Sequence, residues 1–201
     1  MGIATRTYLQ STRAESTEAT GRRITEAFLA RLMTQWFDEI TLDNVAADAR
    51  VTVQTIVRRF GGKEGLLTSA VTTLSDWIRS QRAAPPGDMD QLVNNLVGDY
   101  EKTGDGVLRL LALETRHPAL KAVLDLGRGE HRQWAENAFA ALLERMEPGP
   151  RARALDALVI VTDVYTWKLL RRDMGRSLRA TVATLQNLIH TTINGFANSK
   201  C

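Results

Sequence analysis

Cysteine, histidine and long apolar runs are scarce in this chain, and each scarcity excludes a class of protein. The one cysteine among 201 residues is Cys201, so no disulfide can form within the chain and a disulfide-stapled scaffold is excluded. The three histidines, His117, His131 and His190, lie far apart and lack the paired spacing of a zinc site. We therefore expect no metal and no other cofactor.

Membrane and secretory signals are also missing. The longest strongly apolar run is ALVIV, at 157–161, whereas a helix that spans a bilayer needs about 20 apolar residues. The opening MGIATRTYLQ lacks the apolar segment of a signal peptide. With 44% hydrophobic and 24% charged residues the composition is that of a globular protein. We expect it to be cytoplasmic, with no membrane partner.

Charges of the two signs nearly balance over the whole chain but not locally. Lys and Arg number 26 against 23 Asp and Glu, and this net charge of +3 does not by itself indicate a nucleic-acid partner. Residues 50–63 differ, because they hold four basic residues and no acidic one. The basic residues are Arg50, Arg58, Arg59 and Lys63.

The sequence also lacks an enzyme signature. GRGEHR, at 127–132, begins like a phosphate-binding loop but has no third glycine and no preceding strand. Glu114 and His117 would make an acid–base pair, yet nothing supplies a nucleophile or oxyanion donors. The sequence therefore predicts a protein that is not an enzyme.

Alternation of apolar and polar residues, typical of strands, is missing as well, whereas helical spacing recurs from Arg22 onward. The sequence predicts an all-α fold of about nine helices in three parts. Residues 1–21 are rich in Ser, Thr, Ala and Arg and have no apolar period, which favours a mobile arm. Residues 22–67 are expected to form a small domain of short helices, and residues 68–201 a larger helical domain.

Glycine and proline set the expected ends of these helices. The first helix is expected to bury one face, formed by Ile24, Ala27, Phe28, Leu32 and Trp36. The expected breaks are GG at 61–62, APPGD at 84–88, TGDG at 103–106, HP at 117–118 and EPGP at 147–150. Three long helices are expected over 119–146, which Gly127 and Gly129 can interrupt, and over 151–174 and 178–196.

The stretch ADARVTVQTIVRRF, at 47–60, has the size of a helix-turn-helix element. Its second helix would turn Ile56 and Phe60 inward. The outward side chains would be those of Gln54, Thr55, Val57 and Arg58. Amide, hydroxyl, methyl and guanidinium groups together can read base edges and hold phosphates. A solvated amphipathic helix fits the same spacing.

Residues 23–67 resemble the N-terminal domain of TetR-family transcriptional regulators. The likeness lies in a Thr-initiated second helix with an alanine pair, the recognition-helix pattern V-T-x-x-T-I, and F-x-x-K-E-x-L-L after it. The resemblance implies base contacts from Thr52, Val53 and Gln54. It implies phosphate contacts from Thr41, Thr55, Arg59 and Lys63, and Arg50, Val57 and Arg58 complete the predicted DNA-binding set.

Three residues depart from the family pattern. Val57 stands where an aromatic residue is usual, so one phosphate hydrogen bond and one ring contact would be missing. Arg50 and Trp36 stand where glycine commonly ends a helix. A left-handed backbone at either would cost about 1 kcal/mol relative to glycine, and Arg50 would compensate by reaching a phosphate.

The resemblance also implies that the larger domain binds a small molecule and joins two chains. The segment 151–174 is apolar around its circumference and 178–196 carries one apolar stripe, which suits a homodimer interface. The predicted interface residues are Val159, Leu178, Val182, Leu185, Ile189 and Ile193. The predicted ligand contacts are Tyr100, Leu111, Glu114, His131, Trp134, Ala138, Tyr165 and Thr166.

These features predict a dimeric repressor that leaves a near-palindromic operator in double-stranded DNA when a small apolar or amphipathic effector binds. Two alternatives stay open. One is a DNA binder of the same fold without a small-molecule effector. The other is a helical ligand-binding protein with a degenerate DNA-binding headpiece.

Overall fold

The computed structural model describes the backbone of residues 3–197 and the side chains of residues 16–196. Within residues 3–197 it has ten α-helices and no strand, which confirms the predicted all-α class. The helices are α1 (Ile3–Leu32), α2 (Leu42–Ala49), α3 (Val53–Phe60), α4 (Lys63–Gln81), α5 (Met89–Leu113), α6 (Pro118–Ala138), α7 (Ala140–Leu143), α8 (Pro148–Val161), α9 (Val164–Lys168) and α10 (Leu178–Ala197). A 3₁₀ turn covers Phe37–Glu39 and a π-helical turn covers Leu169–Asp173.

The chain divides into two compact units, Met1–Ser75 and Asp76–Cys201. The division falls inside α4, which also contains the predicted boundary between residues 67 and 68. Helix α1 begins at Ile3, well before the apolar period that starts at Arg22. The mobility predicted for residues 1–21 stays a prediction, and residues 1, 2 and Cys201 lie outside the described part of the chain.

The first unit is built on the apolar faces of its helices. Helix α2 packs on α1 and on α3, and Arg31 Nε of α1 donates to Asp48 Oδ2 of α2 at 2.6 Å. The expected inward position of Trp36 is wrong, because Trp36 is exposed and the next residue, Phe37, is buried at the start of the 3₁₀ turn. The buried apolar residues are Ile24, Phe28, Leu32, Phe37, Ile40, Val45, Ala46, Ala49, Ile56, Leu66, Leu67 and Ala70.

Most of the predicted helix ends agree with the structure. Gly61 and Gly62 have φ angles of 78° and 126°, which the glycine backbone tolerates. The APPGD segment separates α4 from α5, and Asp88 caps α5 by accepting from the Gln91 amide at 2.9 Å. Pro118 and Pro148 each begin a helix, where the missing N–H of proline leaves no bond unmade.

The break expected at TGDG is wrong, since α5 runs through residues 103–106 without interruption. Gly104 is there for packing and not for a turn. A Cβ at this position would lie 2.4 Å from Cζ3 of Trp167, whose side chain is fully buried. The glycine allows the indole ring to lie directly on the α5 backbone.

The helix expected over 151–174 is also broken, and this adds to the helix count. Helix α8 ends at Val161, where Thr162 Oγ1 donates to the Leu158 carbonyl at 2.7 Å. Asp163 then accepts from the Tyr165 amide at 2.9 Å and caps α9. In contrast, α6 continues through Gly127 and Gly129, and the 119–146 segment breaks near Phe139 instead.

An apolar core lies among the helices of the second unit. Helix α10 packs on α5 and α8, and α6 packs on the same two helices. The largest fully buried side chains of this core are Leu96, Phe139, Leu143 and Trp167.

Candidate nucleic-acid interface and a polar cluster

The turn between α2 and α3 places an arginine in a left-handed backbone conformation. Arg50 has φ 54° and ψ 51°, and it is the one non-glycine residue with positive φ in the described part of the chain. Its amide donates to Ala47 O at 3.2 Å and the Val51 amide donates to Ala46 O at 2.9 Å. These two bonds are those of a Schellman motif, in which glycine usually holds the position of Arg50. Trp36, by contrast, has an extended backbone with φ −69°.

Threonines begin both helices of the element. Thr41 accepts from the Asn44 amide and Thr52 from the Thr55 amide, each at 3.2 Å. The hydroxyls of Thr52 and Thr55 also share a hydrogen bond at 2.9 Å. These caps fix where α2 and α3 start, and they occupy hydroxyl groups that were predicted to contact DNA.

Helix α3 has a buried side and an open side, but Thr55, which the sequence predicts on the open side, is half-buried. Ile56 is buried, and Val53, Thr55 and Phe60 are half-buried. Val57 is 45% exposed. The residues on the open side are Gln54, Val57, Arg58 and Arg59, with Thr52 and Arg50 exposed just before the helix.

Arg59 and Lys63, two of the predicted phosphate-contacting residues, pack against other residues of the first unit. A Cβ at the buried Gly21 of α1 would lie 2.4 Å from Nη2 of Arg59, so the glycine leaves room for that guanidinium. Lys63 donates to the Phe37 carbonyl and its Nζ lies 4.2 Å from the centre of the Phe37 ring. Burial lowers the pKa of Lys63, and the charge of Asp38 acts in the opposite direction. Arg58 keeps the open position that the sequence predicts.

The solved structures that resemble this chain include those of three transcriptional regulators or proposed regulators. A proposed transcriptional regulator from Pseudomonas aeruginosa PAO1 is 19% identical over 87% of this chain and 90% of its own, with a TM-score of 0.68. A transcriptional regulator from Rhodococcus sp. Rha1 is 12% identical over 90% and 97%, with a TM-score of 0.64. A proposed regulator from Streptomyces coelicolor A3(2) is 16% identical over 85% and 98%, with a TM-score of 0.56.

The chain shares the fold of these proteins. At such identities the likeness shows the fold alone. No protein-family profile matches the chain, and no curated protein matches it.

The second unit contains a cluster of polar side chains that the sequence does not predict, here called the polar cluster: Arg82, Asp99, Tyr100, His131 and Thr162. Arg82 Nε donates to Asp99 Oδ2 at 2.6 Å, and Arg82 Nη1 lies 3.1 Å from His131 Nδ1. His131 Nε2 lies 3.2 Å from Thr162 Oγ1. Tyr100 donates its hydroxyl to the Thr162 carbonyl at 2.9 Å. The cluster thus joins the end of α4 to α5, α6 and the break after α8.

Burial sets the protonation states in the polar cluster. It lowers the pKa of His131 to about 4, an effect that the charge of Arg82 increases, so this imidazole is neutral at pH 7. Arg82 can only donate, so His131 Nδ1 accepts and Nε2 carries the proton. Burial also raises the pKa of Tyr100 to about 12, and its phenol remains a donor.

The structure brings together only some of the predicted ligand contacts. Tyr100, His131 and Trp134 surround Arg82, and the His131 and Trp134 rings stack with centres 5.5 Å apart. Leu111 and Ala138 pack on the apolar core. Glu114 forms a two-point ion pair with Arg128. Tyr165 is exposed, and Thr166 donates to the Ile160 carbonyl at 2.6 Å.

The predicted interface residues fall into three groups by burial. Leu185 and Ile189 are buried within the chain itself, and Val159, Val182 and Ile193 are partly buried against the same core. Leu178 is exposed. Two large exposed side chains outside the predicted set are Ile160 of α8 and Leu188 of α10. Leu188 lies outside the apolar stripe of 178–196, whereas the segment that contains Ile160 is apolar around its circumference.

Among the described residues, no group of three or more His, Cys, Asp or Glu is arranged to hold a metal ion. None of the described helices combines the length and apolar character needed to cross a bilayer.

Proposed function

We propose that this chain is a TetR-like transcriptional regulator that binds double-stranded DNA through α3. One observation carries the proposal: an exposed face with an amide, a methyl group and guanidinium groups lies on a helix whose other face is buried in a helix-turn-helix. Such a mixed face can discriminate bases, whereas a purely charged face can only hold phosphates. The basic segment 50–63 contains no carboxylate to repel the DNA backbone.

The proposed molecule is a cytoplasmic homodimer. Helices α8 and α10 pack on each other, and both leave large apolar side chains exposed, including Ile160, Leu178 and Leu188. A second copy would cover these side chains. Twofold symmetry would then present two recognition helices roughly 34 to 36 Å apart, which matches a near-palindromic operator.

The proposed activity is repression that a small apolar or amphipathic effector relieves. Helix α4 runs from Lys63 in the first unit to Gln81 in the second, so a ligand that shifts its end would change the geometry available to α3. The usual coupling between such sites is about 1 to 3 kcal/mol. The effector needs only to prefer one of two arrangements of the dimer.

Selection of bound sequences from random duplex DNA tests this proposal. We expect an enriched near-palindrome whose half-sites lie one helical turn apart, with binding that weakens steeply as salt rises. Gln54→Ala should relax selectivity at one position per half-site, at a cost of about 1 to 3 kcal/mol. Gln133→Ala, which changes an exposed glutamine of α6, is the matched control. Absence of any sequence preference at moderate salt would overturn the proposal.

A ligand-binding protein with a degenerate headpiece is the second candidate. Two observations favour it: Val57 offers no aromatic hydroxyl, and the Lys63 ammonium donates to Phe37 within its own unit. Sequence preference at moderate salt separates the two candidates, because non-specific binding to phosphates also weakens as salt rises. The second predicts weak binding with no preferred sequence.

A further inference from the structure

Arg82 lies among two aromatic rings and a carboxylate, and these groups would also bind a small cation that is not part of the chain. Its guanidinium carbon is 4.8 Å from the centre of the Tyr100 ring and 5.4 Å from the centre of the Trp134 ring. Asp99 accepts from Nε at 2.6 Å. In this ion pair the Arg82 side chain is 8% exposed and that of Asp99 is fully buried.

The four described groups that contact the guanidinium each offer electron density. Asp99 supplies a carboxylate, His131 supplies the unprotonated Nδ1, and the two rings supply their π faces. Thr103 donates to Asp99 Oδ1 at 3.1 Å but cannot neutralise the carboxylate. A molecule that replaced Arg82 would therefore need a positive charge, because a buried carboxylate left without a partner is strongly destabilising.

Arg82 can leave this position without a break in the backbone. Its amide continues the last turn of α4 by donating to Ile78 O at 2.9 Å. Asn95 holds the following residue by donating to the Ala83 carbonyl at 2.6 Å. The side chain is long and stays charged in water, so it can turn outward and remain solvated. Its departure would remove the buried connection from the end of α4 to α5 and α6.

We propose that Asp99, Tyr100 and Trp134 form a binding site for a small organic cation, and that Arg82 fills this site as an internal ligand until such a cation displaces it. The class is a guanidinium, an amidinium or an ammonium ion attached to an apolar body. A cation of this kind would be the amphipathic effector, and this regulatory consequence rests on the function proposed above. Binding of the cation itself does not depend on DNA.

Chemical rescue of Arg82→Ala in the full chain tests the site. Methylguanidinium should bind the vacated position and raise the Tm of this variant by roughly 3 to 6 °C at ten times its Kd. The neutral planar analogue methylurea should have no effect, because it brings no charge to Asp99. If Arg82→Ala is unfolded alone, methylguanidinium should restore its helical circular dichroism signal.

Two variants make the rescue specific. Arg82→Ala combined with Asp99→Asn should show no rescue, since the carboxylate is gone. Arg132→Ala removes an exposed arginine that pairs with Asp156 at 2.7 Å, and it should gain nothing from methylguanidinium. Rescue that is absent in Arg82→Ala, or equal in either control, would overturn the site.

The wild-type chain tests displacement. Benzamidinium should give a saturable rise in Tm that Asp99→Asn lacks, and it should weaken binding to the selected DNA. A site that binds only after Arg82 is removed would overturn the internal-ligand part of the proposal. Failure to bind DNA with or without benzamidinium would overturn the proposed function and leave the cation site standing.

Discussion

At the scale of single residues, Arg50 holds a backbone conformation that glycine adopts most readily. Its φ of 54° closes the end of α2, and an L side chain there costs roughly 1 kcal/mol relative to glycine. Arg50→Gly should therefore raise the free energy of unfolding by about 0.5 to 1 kcal/mol, as measured by urea titration. Arg58→Gly, within α3, should lower it by about 1 kcal/mol. Equal effects of the two variants would contradict this reading of Arg50.

A second residue-scale prediction concerns acid stability. Burial, with the charge of Arg82, lowers the pKa of His131 to about 4, against about 6.5 in an unfolded chain. Between these values the unfolded state binds a proton that the folded state does not. The free energy of unfolding should therefore fall as pH drops through this window, by roughly 3 kcal/mol at pH 4.

Urea titrations from pH 7 to pH 4 check this prediction. His131→Gln removes the titrating group, so the stability difference between wild type and His131→Gln should change across the window. His190→Gln keeps His131 and should keep the wild-type dependence on pH. A constant difference between wild type and His131→Gln would show that the imidazole does not titrate as described.

At the scale of the helices, two glycines of α5 should respond in opposite directions to the same substitution. A Cβ at Gly104 would lie 2.4 Å from the Trp167 ring, whereas one at Gly98 would meet no atom within 4 Å. The ring is also held by a hydrogen bond from Trp167 Nε1 to Glu101 at 2.8 Å. Gly104→Ala should therefore lose about 1 to 3 kcal/mol through overpacking, and Gly98→Ala should gain about 0.5 to 1 kcal/mol of helix propensity.

Thermal unfolding of the two glycine variants provides the measurement. Gly104→Ala should have a lower Tm than wild type and Gly98→Ala a higher one. A rise in both would mean that the indole ring moves aside at no cost.

Helix type and the larger breaks could be predicted from the sequence because they depend on local chemistry. Paired prolines, a Pro at a helix start and the glycines at 61–62 each act through their own backbone. The internal glycine at 104 misled because a glycine that permits close packing looks the same in sequence as one that ends a helix. The break at Thr162 depends on hydrogen bonds between side chains and the backbone, which replace those of a continuous helix. The spacing of apolar residues carries no information on such bonds.

The two candidate sites differ in how well the sequence predicts them, because one depends on a single helix and the other on contacts between distant segments. The open face of α3 follows from one helix and its apolar stripe, and the structure places Gln54 and Arg58 there. The polar cluster joins residues 17 to 62 positions apart, since Arg82 pairs with Asp99 and Tyr100 with Thr162. No single segment contains that pairing, so Arg82 and Asp99 carry no signal in the sequence alone.

At the scale of the whole molecule, the proposed dimer predicts different effects of substitution at two leucines of α10 that differ in exposure. Leu188 is 41% exposed and Leu185 is 1% exposed. Leu188→Glu should therefore yield a folded monomer, whereas Leu185→Glu should unfold the chain because it buries a charge. Ile160→Glu on α8, where the side chain is 66% exposed, should act like Leu188→Glu.

Sedimentation velocity with circular dichroism distinguishes these outcomes. Leu126→Glu is the matched control, because Leu126 is 51% exposed on α6 and lies outside the proposed interface; this variant should remain a dimer. Monomeric Leu188→Glu should also bind single half-sites far more weakly than the dimer binds the full operator, since the second half-site no longer contributes. If Leu188→Glu and Ile160→Glu both remain dimers, the interface lies elsewhere on the chain. If the wild type is a monomer, the proposed binding of two half-sites by a twofold dimer is wrong.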